Sequence, residues 1–105
     1  TLSARVGSIG DNRLGGWYSY RASKAALNQI VRTAAIELRR SRPEAVCVAL
    51  HPGTVDTPLS AHFAKPGLEI QSPDTAANRI VAVLDALTSA SSGEFFDQRG
   101  RPIAW

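Results

Sequence analysis

Between Tyr18 and Arg40 the apolar residues Leu27, Ile30, Val31, Ala34, Ala35 and Leu38 recur at three- and four-residue steps. That period lines them along one stripe of an α-helix, so the segment predicts a single long helix with one face to bury. Small residues, Ala22, Ser23, Ala25 and Ala26, crowd its start and let another backbone come close. Pro43 ends it, because proline has no N–H to donate and its ring collides with the preceding turn. Next comes Val46-Cys47-Val48-Ala49-Leu50, a short apolar run without polar alternation. Such a run predicts a strand covered on both faces, the pattern of a parallel sheet with helices on either side. A long amphipathic helix feeding a doubly covered strand points to an α/β fold.

The rest of the chain continues the alternation. From His51 to Pro73 the punctuation is dense, with Pro52, Gly53, Pro58, Pro66, Gly67 and Pro73, and predicts a loop. A loop of that length commonly serves as a lid or binding segment. Asp74 is placed to cap a second helix reaching about Thr88, with Ala76, Ala77, Ile80, Val81, Leu84 and Leu87 on its buried face. Glu94-Phe95-Phe96-Asp97 offers a last strand before a Gly100 turn and the terminal Pro102-Ile103-Ala104-Trp105. The opening Thr1-Leu2-Ser3-Ala4 reads as the end of a strand, and the chain contains no Met, so it is read as a fragment. The order is strand end, helix, strand, loop, helix, strand. It is the second half of a doubly wound, Rossmann-type parallel sheet. Residues 1–105 are accordingly expected to be the C-terminal portion of one such domain, without the N-terminal dinucleotide-binding half.

Composition removes several function classes. No apolar run approaches the roughly 20 residues that span a bilayer, and a cytoplasmic protein is expected. The net charge of +3 and the Arg39-Arg40-Ser41-Arg42 cluster suit the C-terminal end of a helix, where cations complement the macrodipole. No aromatic residue interleaves those arginines, so nucleic-acid binding is not expected. The single Cys47 excludes a disulfide framework and reads as a small core residue. His51 and His62 have no further His or Cys at metal-ligand spacing, and no metal site is expected. Asp85 and Asp97 lack a carboxylate partner suited to glycosidase or protease chemistry.

One pair stands out. Tyr20 and Lys24 are four residues apart at the start of the long helix, so their side chains emerge on one face. A phenol ionises near pH 10, too high for acid/base work at neutrality, and an adjacent ammonium favours the phenolate. A neighbouring Tyr18 has no lysine four residues beyond it.

The surroundings of the pair carry a resemblance. Tyr20-Arg21-Ala22-Ser23-Lys24-Ala25-Ala26-Leu27 resembles the Tyr-x-x-x-Lys segment of the short-chain dehydrogenases/reductases, including the Ser before the Lys. His51-Pro52-Gly53-Thr54-Val55-Asp56-Thr57, directly after the predicted buried strand, resembles that family's Pro-Gly-x-Val-x-Thr turn. The segments Arg5-Val6-Gly7-Ser8-Ile9, Gly15 to Tyr20 and Gly100 to Trp105 are similar to the branch containing C-factor-like and sniffer-like carbonyl reductases. The likeness covers essentially the whole chain. It implies an NAD- or NADP-dependent oxidoreductase acting on a small-molecule carbonyl or alcohol. Tyr20 would give a proton to the carbonyl oxygen, and Lys24 would assist it and hold the ribose hydroxyls. Pro52, Gly53, Val55 and Thr57 would bind the cofactor, the Val55 backbone at the carboxamide and the Thr57 hydroxyl at a carboxamide or phosphate group. The small-residue face of the long helix resembles the family's dimer seam, which implies a homodimer or homotetramer for the parent protein. The segment from Pro58 to Pro73 would be a substrate lid, with Leu59, His62, Phe63 and Leu68 favouring an apolar carbonyl compound.

Two departures qualify the resemblance. Aligning Leu2-Ser3-Ala4-Arg5-Val6-Gly7 on the family pattern puts Ala4 where a carbonyl-polarising serine usually stands. Ser3 should face the other side of a strand, which leaves Ser8, in the following loop, as the candidate to fold back and replace the lost hydroxyl. No Gly-rich phosphate turn follows a complete strand, so the choice between NAD and NADP is not written in these residues. The missing serine keeps a second reading open: a catalytically silent, reductase-like protein that binds cofactor or serves in signalling.

Overall fold

The computed structural model describes residues 1–63 and 67–105, with His62 and Phe63 described by their backbone only. Helix α1 spans Tyr18–Ser41 and is followed by strand β1, Ala49–Leu50. Strands β2, Thr54–Val55, and β3, Ile70–Gln71, precede helix α2, Pro73–Ala86, and strand β4, Phe95–Phe96, comes last. Short 3-10 turns lie at Arg5–Gly7, Ser60–Phe63 and Ser89–Ser91.

Strand β1 pairs in parallel with β4, Ala49 opposite Phe95 and Leu50 opposite Phe96. On its other edge Leu2 bridges Leu50, also in parallel, with Ser3 N donating to Leu50 O at 2.8 Å and Leu50 N to Thr1 O at 2.9 Å. The strand end read at Thr1–Ala4 thus lies beside β1. Side chains alternate across a strand, and the packing follows. Ala49 and Phe95 join Val31 of α1 and Ile103 in one cluster, while Val48, Leu50 and Phe96 join Val83 of α2 in another. The two helices therefore cover opposite faces of the parallel strands, the arrangement of a doubly wound sheet. Burying Phe95 completely contributes on the order of 2–3 kcal/mol, and Trp105 stacks on its ring at 5.6 Å.

Several expectations need correction. The apolar run at Val46 does not begin in the core: Val46 is 43% exposed, Val48 is the first of the run to be buried, and the strand covers only Ala49–Leu50. The segment after His51 is more ordered than its prolines suggested. Strand β2 pairs in parallel with β3, Thr54 opposite Ile70 and Val55 opposite Gln71, because β-branched residues occupy positions where no proline interrupts the ladder. Ser72, rather than Asp74, caps α2: its hydroxyl accepts from Thr75 N at 3.2 Å, and Pro73 opens the helix, where its missing N–H is no loss. The seam of α2 is narrower than drawn. Ala76 and Val83 are buried, with Ile80 and Leu87 packed beside them, whereas Val81 and Leu84 are turned outward. Of the expected lid, residues 64–66 and the side chains of His62 and Phe63 lie outside the described residues, and Leu59 and Leu68 are exposed. Among the described residues no helix is long and apolar enough to cross a membrane.

Candidate active site

Tyr20 and Lys24 share the face that their spacing dictates. The Lys24 ammonium lies 6.0 Å from the centroid of the Tyr20 ring, at the outer limit of a cation–π contact. Trp17 meets the same ring at 6.2 Å with its plane tilted by 58°. Tyr20 is 44% exposed and Lys24 half-buried, and no carboxylate among the described residues pairs with the ammonium.

Gly7 fixes where the pair stands. A Cβ at this position would lie 2.8 Å from both the carbonyl carbon and the Cβ of Lys24. Only glycine lets the Arg5–Gly7 turn rest directly against α1 at the lysine. That turn hangs from the strand end: Ala4 is buried, and its carbonyl accepts from Gly7 N at 2.9 Å. The approach brings the strand end at Ala4 close to the turn of α1 that carries Lys24.

Ser8 does not join them. It is 1% exposed, its hydroxyl donates to Ala104 O, and it accepts from Asp11 N at 3.0 Å. The expectation that Ser8 folds back as the polarising hydroxyl is corrected: Ser8 anchors the C-terminal segment, because the carbonyls of that segment are the acceptors within its reach. Ser3 points to the other face, as alternation required, and donates to Asn28 Oδ1 at 2.5 Å beneath α1.

The Pro52–Gly53 turn leaves the carboxyl end of β1, where open α/β sheets bind ligands. Gly53 has φ +78, and a Cβ on it would come within 2.3 Å of Gln71 Nε2. That amide donates to Pro52 O at 2.9 Å, and Gln71 Oε1 accepts from Arg79 at 2.7 Å, so a buried side chain from β3 holds the turn. Val55 lies in β2, and its carbonyl accepts from the Ser60 hydroxyl. The Thr57 hydroxyl accepts from Ser60 N at 3.3 Å and keeps its own hydrogen to donate.

His51 and Asp97 brace the same end of the sheet. His51 Nδ1 accepts from Arg5 N at 3.2 Å. Burial lowers the His51 pKa to about 4, with Arg5 acting in the same direction and Asp97 opposing, so the ring is neutral at pH 7. Asp97 is 1% exposed and accepts from Arg99 N, Arg101 N, Arg101 Nε and the Arg5 guanidinium. Burial alone would raise its pKa, but the Arg101 and Arg99 donors outweigh it and hold the carboxyl below the usual range. Gln71, His51 and Asp97 were not singled out as site supports from the sequence. A polar residue at the end of an apolar strand is the signal that could have found them. Among the described residues no group of His, Cys, Asp and Glu could hold a metal ion. A hollow of about 640 Å³ between α2 and the Phe96–Gly100 turn contains none of the expected site residues.

No protein-family model matches the chain. Among curated relatives, it is 40% identical to C-signal of Myxococcus xanthus over 105 residues, covering 99% of this chain and 58% of that protein. It is 38% identical over 104 residues to 1-hydroxy-2-glutathionyl-2-methyl-3-butene dehydrogenase of a Rhodococcus strain, covering 99% and 45%. Among solved structures, the carbonyl reductase Sniffer of D. melanogaster superposes with a TM-score of 0.84 at 36% identity, over 99% of this chain and 39% of that one. The NADPH-bound carbonyl reductase from chicken fatty liver does so with a TM-score of 0.84 at 34% identity, over 99% and 41%. A short-chain dehydrogenase/reductase of Burkholderia multivorans with bound NADP gives 0.75 at 36% identity, over 99% and 42%. The chain spans about half the length of the curated relatives it matches.

Proposed function

Because the chain belongs to the short-chain dehydrogenase/reductase family, we propose that it is the C-terminal portion of a single Rossmann-type domain in an NAD(P)-dependent oxidoreductase. The substrate is a small carbonyl compound or the corresponding alcohol. The observation that carries this reading is the Lys24 ammonium, without a carboxylate partner among the described residues, 6.0 Å from the Tyr20 ring.

The nicotinamide, when bound, supplies or accepts the hydride. This chain's residues manage the proton. In the reducing direction the Tyr20 hydroxyl gives its hydrogen to the carbonyl oxygen, and the ammonium stabilises the phenolate left behind. Lys24 also has hydrogens to donate to ribose hydroxyls. The donor set fits the cofactor: an ammonium without a carboxylate partner among the described residues, a Thr57 hydroxyl with its hydrogen available, and a Pro52–Gly53 turn that a Cβ would obstruct. The parent protein is proposed to be a homodimer or homotetramer through the small-residue face of α1, and to reside in the cytoplasm.

A specific observation favours the second reading, a cofactor-binding protein without turnover. Ala4 offers no hydroxyl, and Ser8 is engaged with the C-terminal segment. Losing one polarising donor lowers turnover roughly 100- to 1,000-fold in comparable oxyanion sites, so the two readings part on whether any slow reduction remains. The test uses the full-length protein, with NADH and NADPH binding followed by nicotinamide fluorescence and turnover followed with a panel of carbonyl compounds. Binding with measurable oxidation of the nicotinamide supports the oxidoreductase. Tight binding without oxidation of any member of the panel selects the silent protein, and failure to bind either nucleotide contradicts both.

A further inference from the structure

The start of α1 is unusual in what holds it. Four N-terminal amides of any α-helix lack intrahelical partners, and an anion or a capping side chain commonly serves them. Here the N-cap is Trp17, in the left-handed region at φ 55, with no side-chain cap bond and no acidic residue in the first turn. Gly15 and Gly16 before it also have positive φ, 66 and 74, so consecutive residues leading into the helix depart from ordinary backbone. Nothing lies within 4 Å of a Cβ built on either glycine; Gly15 N donates to Asn12 Oδ1 at 3.0 Å, and Trp17 packs on the Tyr20 ring.

Arg21 holds this segment as well. Its Nε donates to Gly16 O at 2.9 Å, and its two terminal nitrogens donate to Gly15 O at 3.1 Å and Val6 O at 3.2 Å. A cation in the first turn is unfavourable against the helix dipole, yet this one binds carbonyls from two separate segments, the glycine loop and the Arg5–Gly7 turn. The turn is the one that rests on Lys24 through Gly7. Arg21 therefore ties together the loop that starts the helix, the turn beside Ala4, and the helical turn that carries Tyr20.

We propose that Arg21 is a positioning residue: its guanidinium fork fixes the first turn of α1 against the Arg5–Gly7 turn, and so sets the Tyr20 hydroxyl relative to the carbonyl it protonates. The role rests on Tyr20 being the acid/base group. A lysine at position 21 would keep the charge but lose the planar fork that reaches acceptors in different directions.

The test compares Arg21→Ala, Arg21→Lys and Tyr20→Phe in the full-length protein. Two readouts are followed: steady-state kinetics, and amide hydrogen exchange at Gly15, Gly16 and Trp17. A displacement of about 1 Å lowers turnover roughly 100-fold, so Arg21→Ala is expected to reduce kcat about 10- to 100-fold with KM nearly unchanged. Exchange at the three amides should quicken, and Arg21→Lys should recover only part of kcat. Should Arg21→Ala not fold, Arg21→Lys decides by the same pair of readouts. A kcat within about threefold of wild type, or unchanged exchange at those amides, overturns the proposal. An active Tyr20→Phe would instead overturn the reading of Tyr20, and is distinguishable because it leaves the exchange result standing.

Discussion

His51 is the residue at which solvent pH reaches the frame of the site. Its pKa is lowered from 6.5 to about 4, chiefly by burial. A folded pKa below the unfolded one means that the unfolded chain binds more protons between those two values. The stability held by neutral His51 is therefore complete above about pH 6.5 and is lost as pH falls toward 4. Asp97 responds lower down: its folded pKa lies below 3.8, so its contribution persists above that value and disappears only as pH drops through the folded one. Acid sensitivity should thus arrive in two windows. Urea unfolding of the protein at about pH 7 and about pH 5 tests the first. The wild-type midpoint should fall between the two, while His51→Asn, which keeps an acceptor for the Arg5 amide, should change little. Equal falls in both proteins would remove His51 as the cause.

At the scale of elements, the Arg5–Gly7 turn and α1 are the contact on which the site depends. A methyl group at Gly7 meets Lys24 backbone and Cβ at 2.8 Å, where no flexible side chain can yield. Gly7→Ala should destabilise the protein by about 1–3 kcal/mol, the usual range for an overpacked contact, measured by chemical denaturation. An unchanged midpoint would show that turn and helix are not in firm contact. The helices, the buried strand and the Tyr20–Lys24 spacing were legible because each rests on a local period: helical for α1 and α2, unbroken apolar for the run Val46–Leu50, whose buried part is only Val48–Leu50, and four residues for the pair. Other features were not legible because they are set by distant partners. Ser8 looked like a free hydroxyl until the carbonyl of Ala104 arrived beside it. The β2–β3 ladder needs Ile70 and Gln71 to return to Thr54 and Val55. Gln71 is an ordinary polar residue in sequence and a buried brace in space.

The whole chain presents one coherent half of a doubly wound sheet. Leu2, β1 and β4 run in parallel with helices on both faces, and the Pro52–Gly53 turn leaves the carboxyl end of β1, where such folds bind ligands. The chain covers 58% of C-signal and 45% of the Rhodococcus dehydrogenase, and the chemistry of Tyr20 stands as the proposal to be tested. Single-turnover oxidation of bound NADPH or NADH by wild type and Tyr20→Phe, with nucleotide affinity measured alongside, addresses that assignment most directly. General acid/base groups contribute roughly 100- to 10,000-fold, so Tyr20→Phe should bind nucleotide about as well as wild type and oxidise it at least 100-fold more slowly. Equal oxidation rates in the two proteins would contradict the account.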